Sequence, residues 1–112
     1  MVIRSRPSSL VRRFVQVFGQ KADKELRAKL LLEEVKEYQE ANTPEEMLDA
    51  LCDILYIAYG TAIVNGWDID SAFEEVHRSN MSKLQDGKPI YREDGKVLKG
   101  SNYSPPDLTP FV

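Results

Sequence analysis

Thr43-Pro44-Glu45-Glu46-Met47-Leu48-Asp49-Ala50-Leu51-Cys52-Asp53-Ile54-Leu55-Tyr56-Ile57-Ala58-Tyr59-Gly60-Thr61-Ala62-Ile63-Val64-Asn65-Gly66 is the stretch on which the reading of this chain turns. Its start carries helix chemistry: Thr43 as N-cap, Pro44 at the first helical position, and Glu46 three residues on to complete a capping box. Asn65-Gly66 supplies a left-handed stop. At 100° per residue the apolar side chains between Met47 and Val64 point almost all round, the pattern of a helix buried on every side. Only two charges lie between Leu48 and Val64, Asp49 and Asp53. Four residues apart, they share one stripe, which Gly60 extends and beside which it leaves open space. Two like charges on a buried helix are costly unless something neutralises them, and this helix has no Lys or Arg to do so. A cation must come from elsewhere.

The preceding segment, about Asp23 to Ala41, is rich in the strong helix formers Leu, Glu, Lys and Ala. It adds acid, not base. Glu33, Glu34 and Glu37 fall on one side, interleaved with Leu26, Leu30 and Ala41, which a solvated face would not normally do. If the two helices pack by these sides, four or five carboxylates converge on one volume. Hard oxygen ligands so gathered suit Mg²⁺ or Mn²⁺, with waters and a substrate phosphate completing an octahedron. Taken alone, the glutamates read equally well as a surface face; Asp49 and Asp53 tip the balance toward metal.

Two further helices complete an all-α chain. Ser8 or Ser9 can cap a first helix, Leu10 to Phe18, with Leu10, Val11, Phe14, Val17 and Phe18 at helical spacing and Gly19 as its end. Asp70 can cap a fourth that reaches about Lys83. It contains Glu74-x-x-His77, the spacing of di-iron bundle sites, but such a site needs the motif twice and His77 is the only histidine. Beyond Lys83 the chain is rich in Gly, Pro, Asp and Ser, with Glu93-Asp94-Gly95-Lys96 reading as a tight turn between two short extended pieces. The reading is thus one domain, residues 1–112, with a helical core at about 8–83 and an irregular tail at 84–112. The tail holds too few apolar residues to pack alone, and is expected to be mobile without ligand and to close over phosphates.

Composition narrows the function. With 29% charged and 42% hydrophobic residues the chain reads as globular. A net charge of −3 gives no basic excess for nucleic acid, and the Arg4, Arg6, Arg12 and Arg13 cluster reads as a solvated face. The lone Cys52 cannot form an internal disulfide and reads as a small core residue in a reducing compartment. The longest uncharged run, Ile54 to Asn65, is too short for a bilayer, and no signal core opens the chain, so a cytoplasmic protein with no membrane partner is expected.

Glu33-Glu34-x-x-Glu37, Asp49-Ala50-Leu51-Cys52-Asp53-Ile54-Leu55-Tyr56, Tyr59-Gly60-Thr61-Ala62, Phe73 to Lys83, and Asp94-Gly95-Lys96-Val97-Leu98-Lys99-Gly100 occur in that order. Together they resemble the MazG-like, all-α nucleoside triphosphate pyrophosphohydrolases, in the branch near dimeric dUTPases and phosphoribosyl-ATP pyrophosphohydrolase. The similarity runs from about Phe14 to Leu108. It implies a four-helix subunit in an intertwined helical-bundle homodimer or homotetramer, and hydrolysis of a (deoxy)nucleoside triphosphate between the α and β phosphates. The resemblance assigns Glu34, Glu37 and Asp53 as metal ligands. Many members have a Glu where this chain has Ala50, and Asp49 is the substitute on the same stripe. Glu33 becomes the candidate base that orients water toward the α-phosphorus. Asn80 and Lys83 match substrate-contacting positions, with Lys96, Lys99 and Tyr103 as further phosphate contacts. Phe14, Val17 and Phe18 match the wall against which relatives bind the base. A non-catalytic helical nucleotide-binding or regulatory module is the competing reading; it would keep the apolar helices without needing all four acids.

Overall fold

The computed structural model describes residues 6–112. Its elements are four helices, α1 (Pro7–Phe18), α2 (Lys24–Glu40), α3 (Pro44–Val64) and α4 (Ile69–Met81), followed by a hairpin of β1 (Ile90–Tyr91) and β2 (Val97–Leu98) and a 3-10 turn at Thr109–Phe111. They form two compact units, Met1–Ile69 and Asp70–Val112. The all-α class holds.

In the first unit α3 is the central element, with α2 and α1 both packed against it. Its ends obey the local chemistry. Thr43 Oγ1 accepts the Glu46 amide at 3.1 Å, and the Glu46 carboxylate reaches back to the amide of Asn42 at 3.2 Å. At the other end, Trp67 donates to the Ala62 carbonyl and Gly66 to that of Ile63, both at 3.0 Å, which is the Schellman pairing. Gly66 carries the positive φ of 76° that this pairing requires, while Asn65 stays right-handed. Asp23 caps α2, accepting the Glu25 amide at 2.9 Å.

Four expectations need correction here. Helix α1 begins about a turn earlier than Leu10: Pro7, whose fixed φ suits a first position, opens it, Arg6 flanks it, and Ser8 is buried within it instead of capping it. Helix α4 likewise starts at Ile69, so Asp70 lies in its first turn. Helix α3 is not buried all round. Only Ala50, Gly60 and Ala62 are buried, whereas Leu48 is 63% and Leu55 53% exposed, and Cys52 is exposed, not a core residue. Two helices can cover only part of a helix surface, and the remaining apolar arc faces outward. By length and composition α3 could also cross a membrane. Asp49 and Asp53 on its stripe would each be costly at bilayer depth. Of the N-terminal arginines, Arg12 and Arg13 are exposed, as a solvated face requires, and Arg4 lies outside the described residues.

In the second unit the hairpin pairs Ile90 with Leu98 and Tyr91 with Val97, closed by a turn in which Gly95 takes φ 89° and Arg92 pairs with Asp94. Polar contacts hold the chain after α4 where apolar ones are scarce. Glu75 accepts the Asp107 amide at 2.8 Å and the Nε and NH2 groups of Arg78, whose NH2 also donates to the Pro105 carbonyl. Ser82 Oγ accepts the Ser104 amide at 2.8 Å, and Gly100 donates to the Lys83 carbonyl at 2.8 Å. A Cβ at Gly100 would fall within 3 Å of that carbonyl and of the next, so the close approach requires glycine.

The Thr43 cap anchors the start of α3. Thr43→Ala should lower stability by about 1 kcal/mol in chemical denaturation without changing the oligomer, whereas Thr43→Ser should cost little.

Candidate metal and nucleotide site

Helices α2 and α3 face each other through stripes that the 3.6-residue repeat dictates. On α2 the positions are Arg27, Leu30, Glu34 and Glu37; on α3 they are Asp49, Asp53, Ile57 and Gly60. At one end of this groove the acids meet. Glu34, Glu37 and Asp53 each present a carboxylate oxygen, all within 4.8 Å of one another. Asp49 is not within that triad, but its charge bears on both Glu34 and Asp53. It also lines, with Glu37, Glu40, Ala41 and Glu46, an adjoining cleft of about 260 Å³.

The electrostatics follow from this crowding. Burial, then a hydrogen bond to Glu37 that favours the neutral acid, then the charges of Glu37, Asp53 and Asp49 push the Glu34 carboxyl up to about 7. Asp53 is raised as well, by burial first and then by Asp49 and Glu37. Glu34 Oε2 is buried with no hydrogen-bond partner. A buried acceptor of this kind normally has one. An orphaned oxygen facing two further carboxylates is a donor set of hard, anionic oxygens, and it fits a divalent cation of the Mg²⁺ type.

The other end of the groove holds a residue the sequence reading overlooked. Arg27 is only 4% exposed. Its Nε donates to Thr61 Oγ1 at 2.9 Å, NH1 to Gln20 Oε1 at 3.2 Å and NH2 to the Ile57 carbonyl at 3.2 Å, all neutral acceptors. No carboxylate among the described residues pairs with it, and burial alone lowers its pKa. Gly60 does not leave open space, as its place on the acidic stripe suggested: the guanidinium fills it, and a Cβ there would stand 2.8 Å from NH2. A mid-helix glycine costs roughly 1 kcal/mol against alanine, so its presence is explained by the arginine it admits. The signal was available, since Arg27 lies three and seven residues before Leu30 and Glu34 on the same stripe.

The remaining candidates are distributed as follows. Glu33 is exposed on α2 and outside the triad. Phe14 stands edge-on to Tyr56 at 5.3 Å between ring centres and stacks on Phe18 at 4.6 Å, while Phe18 itself is 70% exposed. Asn80, Lys83, Lys96, Lys99 and Tyr103 all belong to the second unit, where the Lys99 amine sits 4.6 Å over the Tyr103 ring. His77 is exposed and joins no cluster of potential ligands among the described residues.

The raised Glu34 makes a signed prediction for the protein held in chelator. Its penalty is absent below the ordinary carboxyl value near 4.5, grows as pH rises toward 7 and is complete above it. Glu34→Gln should therefore stabilise the protein at pH 8 and leave it unchanged at pH 4, as read from denaturation midpoints. An equal effect at both values would contradict the crowded site.

A family profile described as phosphoribosyl-ATP pyrophosphohydrolase matches residues 12–80, more than half of the chain and all of the acids in the groove. No curated protein matches the chain. The acid-lined packing of α2 on α3 and the extent of that match lead to one conclusion: the chain belongs to the phosphoribosyl-ATP pyrophosphohydrolase family, within the MazG-like, all-α nucleotide pyrophosphohydrolases.

Proposed function

We propose that this protein is a Mg²⁺-dependent nucleotide pyrophosphohydrolase that converts a (deoxy)nucleoside triphosphate and water into the monophosphate and pyrophosphate, serving control of the nucleotide pool. The observation that carries this reading is the triad Glu34, Glu37 and Asp53, with its orphaned buried oxygen, inside a family of pyrophosphohydrolases. Glu34, Glu37 and Asp53 would hold the cation, Mg²⁺ or in its place Mn²⁺, with Asp49 at the rim of the site. When bound, the cation supplies positive charge against the polyphosphate and offsets the repulsion among the acids. Glu33, exposed one residue before Glu34, is the candidate base: it takes a proton from the water that attacks the α-phosphorus as the bond to the β-bridging oxygen breaks. Asn80, Lys83, Lys96, Lys99 and Tyr103 are the candidate phosphate contacts, and Phe14 and Phe18 the candidate base contacts.

The outward apolar arc of α3 supports the second half of the reading. Met47, Leu48, Leu51 and Leu55 are exposed on a helix whose composition asks for cover. A second copy of the chain would supply it, giving a homodimer or a dimer of dimers. A cytoplasmic setting, with no nucleic acid or membrane as partner, fits the charge of −3 and the single exposed Cys52.

Assay of the full chain with Mg²⁺ against NTPs, dNTPs and phosphoribosyl-ATP tests the activity. Pyrophosphate should be the product, and single orthophosphates released without a contaminating pyrophosphatase would contradict α–β cleavage. Asp53→Ala and Glu37→Ala should each abolish turnover in a folded oligomer; activity retained in both would remove the triad from the mechanism. A wild-type protein that binds nucleotide without turnover would instead be a regulatory binding module. In sedimentation at micromolar concentration the protein should run as a dimer or tetramer, and Leu51→Glu with Leu55→Glu should shift it toward monomer. A fully active monomer would refute the proposed cover of α3.

A further inference from the structure

The groove between α2 and α3 has two ends, and the acids occupy one. At the other, Phe14, Tyr56, Leu30, Gln20, Gly60 and Arg27 line a cavity of about 200 Å³. That is smaller than the roughly 300–1,000 Å³ of sites that take a drug-sized ligand, and it suits one planar ring. Its walls are largely apolar and two of them are aromatic. None of its lining residues is an acid, so the permanent charge of Arg27 is uncompensated there.

The orientation of the guanidinium decides what such a cavity accepts. Its Nε side is turned to Thr61, which lines a separate cavity with Trp67. The fork of NH1 and NH2 is turned to Gln20, Ile57 and Gly60, all of which line the aromatic cavity. A guanidinium has five N–H donors, and three are used by Thr61, Gln20 and Ile57. One hydrogen on each arm of the fork remains. A buried fork with two spare donors calls for acceptors, and the described residues provide none beyond Gln20 and Ile57.

We propose that Arg27 is a specificity-determining residue: its fork reads carbonyl acceptors on the edge of a planar heterocycle seated against Phe14 and Tyr56. Oxo-bearing rings, uracil with O4 and guanine with O6, present such an acceptor, whereas adenine presents an amino group on the corresponding edge. Seven residues of α2 separate Arg27 from Glu34, roughly 10 Å along the helix. That span places the ring and the phosphates of one nucleotide at the two ends of the same groove. In this the inference rests on the reading of the acid cluster as the phosphate end. Gly60 is the second determinant, since any side chain there would push the fork out of position.

Binding of nucleosides, which carry no phosphate, tests the ring site apart from hydrolysis. The full-length protein in chelator is titrated with uridine and adenosine by NMR, and helical content is followed by circular dichroism. Uridine should bind more tightly than adenosine. Arg27→Met should weaken uridine roughly 10- to 100-fold, the worth of a hydrogen bond to a charged group, and leave adenosine unchanged. Gly60→Ala keeps the arginine but displaces its fork, so it should produce the same loss of preference even where Arg27→Met fails to fold. No nucleoside binding, equal binding of the two nucleosides, or a preference that survives Gly60→Ala would overturn the proposal. Pyrophosphate release is measured in parallel with Mg²⁺. Turnover whose base preference ignores both substitutions removes the ring site alone. A uridine preference without any turnover removes the hydrolase reading and leaves Arg27 as the reader of the ring.

Discussion

The packing of α2 on α3 is the constraint from which the rest follows, because it brings together groups that repel. Ionised carboxylates 4.8 Å apart repel by roughly 3.5 kcal/mol per pair at an effective dielectric constant near 20. Arg27 carries the opposite charge on the same face, but about two turns away its attraction for Glu34 is roughly 1.5 kcal/mol on the same scale. The repulsion wins. The free protein meets it by holding Glu34 neutral up to about pH 7, and that solution leaves one buried oxygen without a partner. The cation proposed above would offset this cost in the main helix pair. Helix–helix adhesion would be served better by leucine at the same positions.

Much of this was legible in the sequence because it depends on local periodicity. Asp49 and Asp53 share a stripe whatever surrounds them, and the spacing of Glu34 and Glu37 puts both on one face of α2. The Thr43 capping box and the Asn65-Gly66 stop are equally local, and both ends of α3 form where those residues place them. Sequence and structure part where the answer depends on neighbours. The apolar residues of α3 point all round, which is a statement about what the helix needs, while burial in one chain is a statement about what α1 and α2 can reach. Cys52 is exposed for the same reason as Leu48 and Leu55. The start of α1 was misplaced because two serines look like caps, although Pro7 before them sets the backbone. Apolar content likewise says nothing of Glu75, Arg78 and Ser82, whose hydrogen bonds hold residues 104–107.

Arg27 was missed for a more instructive reason. Basic residues on a helix rich in Lys and Glu read as solvated, and nothing in the local pattern beyond the stripe it shares with Leu30 and Glu34 marks Arg27 as the exception. The arginine is buried by shape. Its stem lies along the α2 stripe, its Nε meets Thr61, and its fork occupies the hollow that Gly60 leaves in α3. Glycine in a helix is commonly explained by a tight helix crossing; here a side chain, not a backbone, claims the space.

The two ends of the groove thus stand in a definite physical relation. The acids at Glu34, Glu37 and Asp53 lack positive charge, and the fork at Arg27 keeps one spare donor on each arm beyond its bonds to Gln20 and Ile57; yet the helix spacing keeps the two sets apart. Had they paired, each would satisfy the other and the groove would be inert. A rigid α2 prevents the exchange, since closing a gap of about two turns would require breaking helix hydrogen bonds. Both ends therefore remain unsatisfied together, one toward cations and one toward acceptors. A nucleotide with a metal at its phosphates is a ligand that presents both deficits with their complements at once, and the separation built into seven residues of helix sets how far apart those complements must be.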